Sequence, residues 1–198
     1  MSDAPATPTG GAPGQRRVAV TGLGVVAPAG IGVADFWEGL LGPGPTGANS
    51  IRVDDWDPTP WFDNAKAARR ADRVEQFTMA AAAEAFDAAG GVDAISADTS
   101  RFGTIFATGV GGLHTLEEQI QVRLERGERR VSPFLVPMMM TNASGAAISM
   151  RYGLRGPNET ITTACAARSR PAAPRVRTAR TASPTMPPGT VVLTRLDR

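Results

Sequence analysis

Residues 150–167 read MRYGLRGPNETITTACAA, and the fold turns on them. Gly153 and Pro157 interrupt the chain, and a β-branched run follows at 159–163 with the look of a strand. No turn residue separates this strand from Ala164, Cys165, Ala166 and Ala167. Small residues directly after a strand allow a sharp bend and the close approach of another molecule. A cysteine in the first turn of a helix at such a bend has backbone N–H groups aimed at its sulfur. That arrangement lowers the thiol pKa from about 8.5 and presents a nucleophilic thiolate.

Working outward, the remaining elements alternate. A β-branched run at 18–21, closed by Gly22, predicts a buried first strand, and 102–107 predicts a second. Short amphipathic character predicts a helix over 35–41, with Phe36, Leu40 and Leu41 on one side and Gly42 as its stop. The clearest helix is 71–89, where Val74, Phe77, Ala81, Ala85 and Ala88 recur at spacings of three and four. Arg73, Gln76, Glu84 and Asp87 fall on its other face. A further helix carries Leu113, Leu116, Ile120 and Leu124 in phase and stops at Gly127. The stretch 138–152, rich in small residues, predicts a buried helix ended by Gly153. Residues 46–64 read as loop, anchored by Trp56 and Trp61. Alternating strands and helices define an α/β protein built on a layered sheet.

Composition excludes several classes. The chain has 198 residues, 42% hydrophobic and 20% charged, which rules out collagen, coiled coil and wholesale disorder. No run of eighteen apolar residues predicts a membrane helix. The first fifteen residues read as a disordered leader without the features of a secretory signal, so a cytoplasmic location is expected. The one cysteine, Cys165, excludes an internal disulfide. Charge is uneven: residues 1–167 are acidic on balance, whereas 168–198 carry seven arginines and one aspartate. That basic tail has no aromatic residue to stack a base, so nucleic acid is not an expected partner.

Other motifs give weaker signals. Gly22, Gly24 and Ala27 have the spacing of a dinucleotide-binding turn, which keeps an NAD(P)-dependent oxidoreductase as an alternative. Pro28, Gly30 and Gly32 follow where the helix of that motif would have to continue. Residues 109–112 are glycine-rich between a strand and a helix, but no lysine follows, so a tight turn is expected rather than a phosphate cradle. His114, the only histidine, reads as an ordinary surface or half-buried residue. No cofactor or metal set is expected.

Four stretches taken together are more specific. RRVAVTGLGVVAPAG at 16–30, ATGVGGLHTLEE at 107–118, VSPFLVPMMMTN at 131–142 and the 150–167 stretch occur in this order. Together they resemble the β-ketoacyl-acyl-carrier-protein synthases of the ketoacyl synthase II type and the related type II polyketide ketosynthases. The resemblance runs over 17–167. It implies the first half of a thiolase-like α/β/α fold, truncated relative to the family. It also implies decarboxylative condensation of an acyl thioester with a malonyl-type extender, in fatty acid or polyketide biosynthesis. By the same resemblance Cys165 takes the acyl chain, while Val110, Phe134 and Leu135 line its pocket. The implied partners are an acyl carrier protein bearing acyl and malonyl groups, and either a second copy or a chain-length factor. The segment 160–163 is where two subunits would pair.

The chain departs from that family after Ala167. The family's second half, with its two histidines, has no counterpart here, so no full condensation activity is expected of this chain. A non-catalytic interaction module is therefore a further alternative. Five prolines in 168–198 forbid the long helix the family places there. Runs of Arg, Pro, Ala, Ser and Thr are what a GC-rich gene yields when read out of frame. The domain reading is a leader at 1–15, a ketosynthase N-terminal domain at 16–167 and a disordered, out-of-frame tail at 168–198.

Overall fold

The structure, a computed structural model, describes residues 18–44, 52–54, 56–95, 98–163, 177–181 and 191–196. Among the described residues seven strands and seven α-helices follow in chain order. They are β1 (Val18–Gly24), β2 (Val26–Ala27), β3 (Gly30–Ile31), α1 (Val33–Leu41), α2 (Ala65–Arg69), α3 (Arg73–Ala88) and α4 (Val92–Ile95). Then come β4 (Phe102–Ala107), α5 (Leu113–Arg126), α6 (Leu135–Met139), α7 (Ala143–Arg151), β5 (Asn158–Ile161), β6 (Arg177–Thr181) and β7 (Val191–Leu196). Five strands form one sheet in the order β1-β7-β6-β4-β5, and β2 pairs with β3 in a separate hairpin. β4 runs parallel to both β5 and β6, while β7 runs antiparallel to β6 and to β1. Only β7 is therefore reversed. The layered α/β expectation holds.

α3 organises the core. Asp72 caps it, its Oδ1 accepting the Val74 N–H at 2.9 Å. The helix lies over β1 and β7, beside α7, which lies over β4 and β5. Contact with β1 is possible only because β1 has glycines there: a Cβ on Gly22 would stand 2.0 Å from the Ala85 carbonyl oxygen, and one on Gly24 1.9 Å from that of Ala81. The dinucleotide-like glycines thus lie inside a strand and serve helix packing. The chain after them forms the β2–β3 hairpin, not a helix. Phe86 stacks on Tyr152 at 3.9 Å and packs near Phe102, closing the core with Met79, Ile148 and Leu154.

Several sequence expectations need correction. The buried residues of α3 are Thr78, Met79, Ala80, Ala81, Ala82, Ala85 and Phe86, shifted from the predicted stripe: Ala88 is exposed and Glu84 half-buried. Strand β1 is not buried on both faces. A bulge between Val20 and Gly22 puts Val20 and Leu23 on the face away from α3, where both are exposed. On α1, Leu40 and Leu41 are exposed, and so are Leu113, Ile120 and Leu124 on α5; no described residue covers those stripes. The single helix expected over 138–152 is two helices, parted at 140–142. The tail was expected to be disordered, yet β6 and β7 fall within it. Strand pairing uses backbone N–H and C=O groups, so arginine-rich composition does not prevent it. The expected aromatic anchors hold: Trp56 stacks on Trp61 at 5.1 Å and meets Phe77 at 5.0 Å.

Candidate functional site

The carboxyl ends of the parallel strands β4 and β5 lie side by side, with Ala107 opposite Ile161. Beyond β4 the Thr108 N–H donates to the Ile161 carbonyl at 3.1 Å, tying the two exits together. Crevices at the carboxyl ends of parallel strands are the usual ligand sites of α/β sheets. β5 ends at Ile161, earlier than expected, and Thr162 and Thr163 continue exposed without strand pairing. Cys165 follows and lies outside the described residues.

The loop from Thr108 to Gly112 follows β4 at this exit. The Thr108 Oγ1 accepts the Gly111 N–H at 3.1 Å, and the Gly112 N–H donates to the Met139 carbonyl at 3.2 Å. Gly111 has φ +86°, a left-handed conformation natural to glycine. Gly112 has no room for a side chain, since a Cβ would stand 2.4 Å from the Met138 carbonyl oxygen. The glycines therefore make a tight turn pressed against the C-terminal end of α6, as expected. Val110 projects from it and is 59% exposed.

Phe134 and Leu135 sit at the other end of α6. Phe134 is its N-cap, Leu135 its first residue and half-buried. The Arg70 guanidinium lies 4.1 Å from the Phe134 ring centre. The structure thus sets Val110 against one end of α6 and the Phe134–Leu135 pair at the opposite end. Arg70 beside Phe134 is an exposed cation, and Arg69, Arg129 and Arg130 are exposed as well.

Behind the loop, a cavity of about 640 Å³ is lined by Arg69, Asp72, Arg73, Gln76, His114 and Glu118 among others. His114 is exposed at the start of α5, as expected of an ordinary surface histidine. Burial, and next the Asp72 carboxylate, push Glu75 up to about 7. Two carboxylates missed by sequence reasoning tie distant segments: Glu84 accepts N–H groups from Val25 and Val33, and Asp72 accepts from Thr115. Their partners are backbone groups more than forty residues away, so no sequence signal could have found them. Among the described residues no cluster of three or more His, Cys, Asp or Glu is placed to hold a metal ion. No described helix is long and apolar enough to cross a membrane.

Comparison with known proteins gives this site a context. The profile described as "Beta-ketoacyl synthase, N-terminal domain" matches residues 42–169. The chain therefore belongs to the β-ketoacyl synthase family. It is 36% identical over 170 residues to 3-oxoacyl-[acyl-carrier-protein] synthase 2 of Synechocystis sp. (strain ATCC 27184 / PCC 6803 / Kazusa), covering 78% of this chain and 40% of that one. The fold matches a chain of AntDE:AntF, described as a type II PKS acyl-carrier protein in complex with its ketosynthase bound to the hexaketide. There the TM-score is 0.69 at 17% identity, over 93% of this chain and 63% of that chain. It matches the ishigamide ketosynthase/chain length factor with TM-score 0.68 at 18% identity, over 91% and 58%. The thiolase-like α/β fold is thus shown. The chain spans about two fifths of the length of the curated relatives it matches.

Proposed function

We propose that this chain carries the acyl-accepting half of a β-ketoacyl-acyl-carrier-protein synthase, with Cys165 as nucleophile. The Cys165 thiolate attacks the carbonyl carbon of a carrier-bound acyl thioester. A new thioester forms on Cys165, and the carrier's thiol leaves with a proton. In the complete reaction, a malonyl-type extender loses CO2 and its carbanion attacks the carbonyl carbon of that thioester, breaking the C–S bond and releasing the Cys165 thiolate, in fatty acid or polyketide synthesis. The observation that carries this reading is the joined exit of β4 and β5. The strand leading toward Cys165 and the loop bearing Val110 leave the sheet together there, held by the Thr108–Ile161 hydrogen bond. Val110 fits an acyl-pocket wall, being apolar and projecting from a fixed loop. Phe134 and Leu135 fit the same role on the far side of α6. The reading needs no cofactor and no metal.

The partners proposed are an acyl carrier protein and a second ketosynthase-type subunit, either a copy of this chain or a chain-length factor. AntDE:AntF pairs an acyl-carrier protein with its ketosynthase, and the ishigamide protein is a ketosynthase/chain length factor. The exposed Arg70 offers a cationic approach beside Phe134 that would steer an anionic partner. The outer edge of β5 pairs with no described strand and supports subunit pairing through 160–163. A cytoplasmic location is part of the same proposal.

Acyl loading tests the reading. Incubation with radiolabelled acyl-carrier protein should label the chain, and Cys165→Ala should abolish the label. Equal labelling of both would overturn it. The domain boundary at 167 is supported by the family match, which stops at 169. Translation of the DNA beyond the Ala167 codon in all three frames tests the out-of-frame origin of 168–198. Family-like sequence in another frame supports it, and its absence refutes it.

A further inference from the structure

Asp72 is only 3% exposed, and no described cation lies within ion-pair distance of it. Its two carboxylate oxygens serve two helix N-termini. Oδ1 accepts the Val74 N–H of α3 at 2.9 Å, and Oδ2 accepts the Thr115 N–H of α5 at 2.8 Å. Helix N-termini carry unpaired N–H groups and partial positive charge, which a buried carboxylate satisfies. α5 cannot cap itself. Its N-cap is Gly112, where a Cβ would meet the Met138 carbonyl oxygen at 2.4 Å and the Asp72 Cγ at 3.1 Å. The capping group must come from elsewhere, and Asp72 supplies it across 43 positions of sequence.

The loop carrying Val110 is therefore held at both ends. At its start Thr108 is fixed to Ile161 on β5, and at its finish α5 is fixed to α3 through Asp72. We infer that Asp72 is a positioning residue that sets where Val110 stands at the joined exit of β4 and β5, and through it which acyl chain lengths the site accepts. The chain-length part rests on the functional reading above; the anchoring part rests on geometry alone. Asp72 acts only through α5 and the loop and touches no reacting atom.

Asp72→Ala in the full chain removes both accepting oxygens, so the Thr115 N–H loses its partner whichever way the side chain would turn. Amide hydrogen exchange over residues 110–116 should then quicken about tenfold, the value of one such bond, while 79–86 of α3 stays protected. Acyl loading of Cys165 from butyryl, octanoyl and palmitoyl thioesters, normalised to its iodoacetamide labelling, should change its order of preference. A variant that only destabilises the chain would lower all three alike. Thr115→Pro removes the donor instead, at a first-turn position where proline is tolerated, and should reproduce both effects. Unchanged exchange in 110–116 in either folded variant overturns the anchoring. Faster exchange with an unchanged order of preference overturns the chain-length role. If the unmodified chain loads no acyl group from any thioester, the functional reading falls and the chain-length role with it. The exchange measurement then still decides whether Asp72 holds the loop.

Discussion

The carboxylate of Glu84 accepts the backbone N–H of Val33 at 2.7 Å, and its second oxygen accepts that of Val25 at 2.9 Å. One side chain on α3 thus fixes the exit of β1 and the start of α1, on either side of the β2–β3 hairpin. The N-cap of α1 is Gly32, which offers no side chain, so Glu84 satisfies that helix end from outside.

Glu84→Ala should therefore destabilise the fold by about 2–3 kcal/mol, since it leaves two backbone donors facing a half-buried site. Glu84→Gln keeps one acceptor and should lose less. Urea unfolding followed by circular dichroism measures both, and a change for Glu84→Ala within experimental scatter would contradict the anchoring role.

Stability should fall as pH rises toward neutrality, and Glu75 is the reason. Burial and the Asp72 charge raise its carboxyl from the usual 4.5 to about 7 in the folded chain. Between those values the folded state binds more protons than the unfolded one. The contribution is full below pH 4.5 and is lost as pH passes about 7, on the order of 3 kcal/mol at most. Glu75→Gln should flatten this part of the profile and stabilise the chain at pH 8 relative to the unmodified protein. Parallel profiles for the two would refute the assignment.

Gly22→Ala should cost about 3 kcal/mol or more, because its Cβ would overlap the Ala85 carbonyl oxygen and neither backbone can retreat without opening the core. Gly91→Ala makes a contrast: its Cβ would meet nothing within 4 Å, so only the positive φ of 87° opposes it. Comparing their unfolding midpoints separates overlap from backbone strain.

Trypsin should spare the bonds after Arg177 and Arg180 in β6, which lies between β4 and β7. Deleting 168–198 should abolish cooperative unfolding, since β1 and β4 do not pair with each other and would lose the strands that join them. Rapid cleavage within 177–181, or a cooperative transition in the shortened chain, would contradict the sheet order.

Much of this architecture is legible from residue patterns, and its failures have physical causes. β4 is found at its full length because Phe102, Ile105 and Phe106 stand out between turn residues. α5 ends at Gly127 as read. The face of α3 is misjudged because alanines dominate it: a seam set by close backbone approach carries almost no hydrophobic contrast, and Gly22 and Gly24 on β1 decide it. The break between α6 and α7 escapes notice, since Met140, Thr141 and Asn142 include no obligate breaker. β6 and β7 are masked by arginine- and proline-rich surroundings, although Val191, Val192 and Leu193 make a short β-type run. At the site, the family stretches identify Val110 and Phe134 as candidates, yet only the structure separates them to opposite ends of α6. Asp72 and Glu84 leave no local trace, because each bonds N–H groups that any sequence would supply.

The pairing of Val18 with Leu196 also governs the order in which the protein can assemble. β7, the one described strand that pairs with β1, is translated long after it. At about 5–20 residues per second, β1 waits roughly ten seconds or more for that partner. During this interval α3 can already settle on Gly22 and Gly24, but the open edge of β1 has nothing to pair with. Such a high contact order slows folding and leaves nascent chains prone to edge-to-edge association, so a holding chaperone would act on this protein before β7 is made.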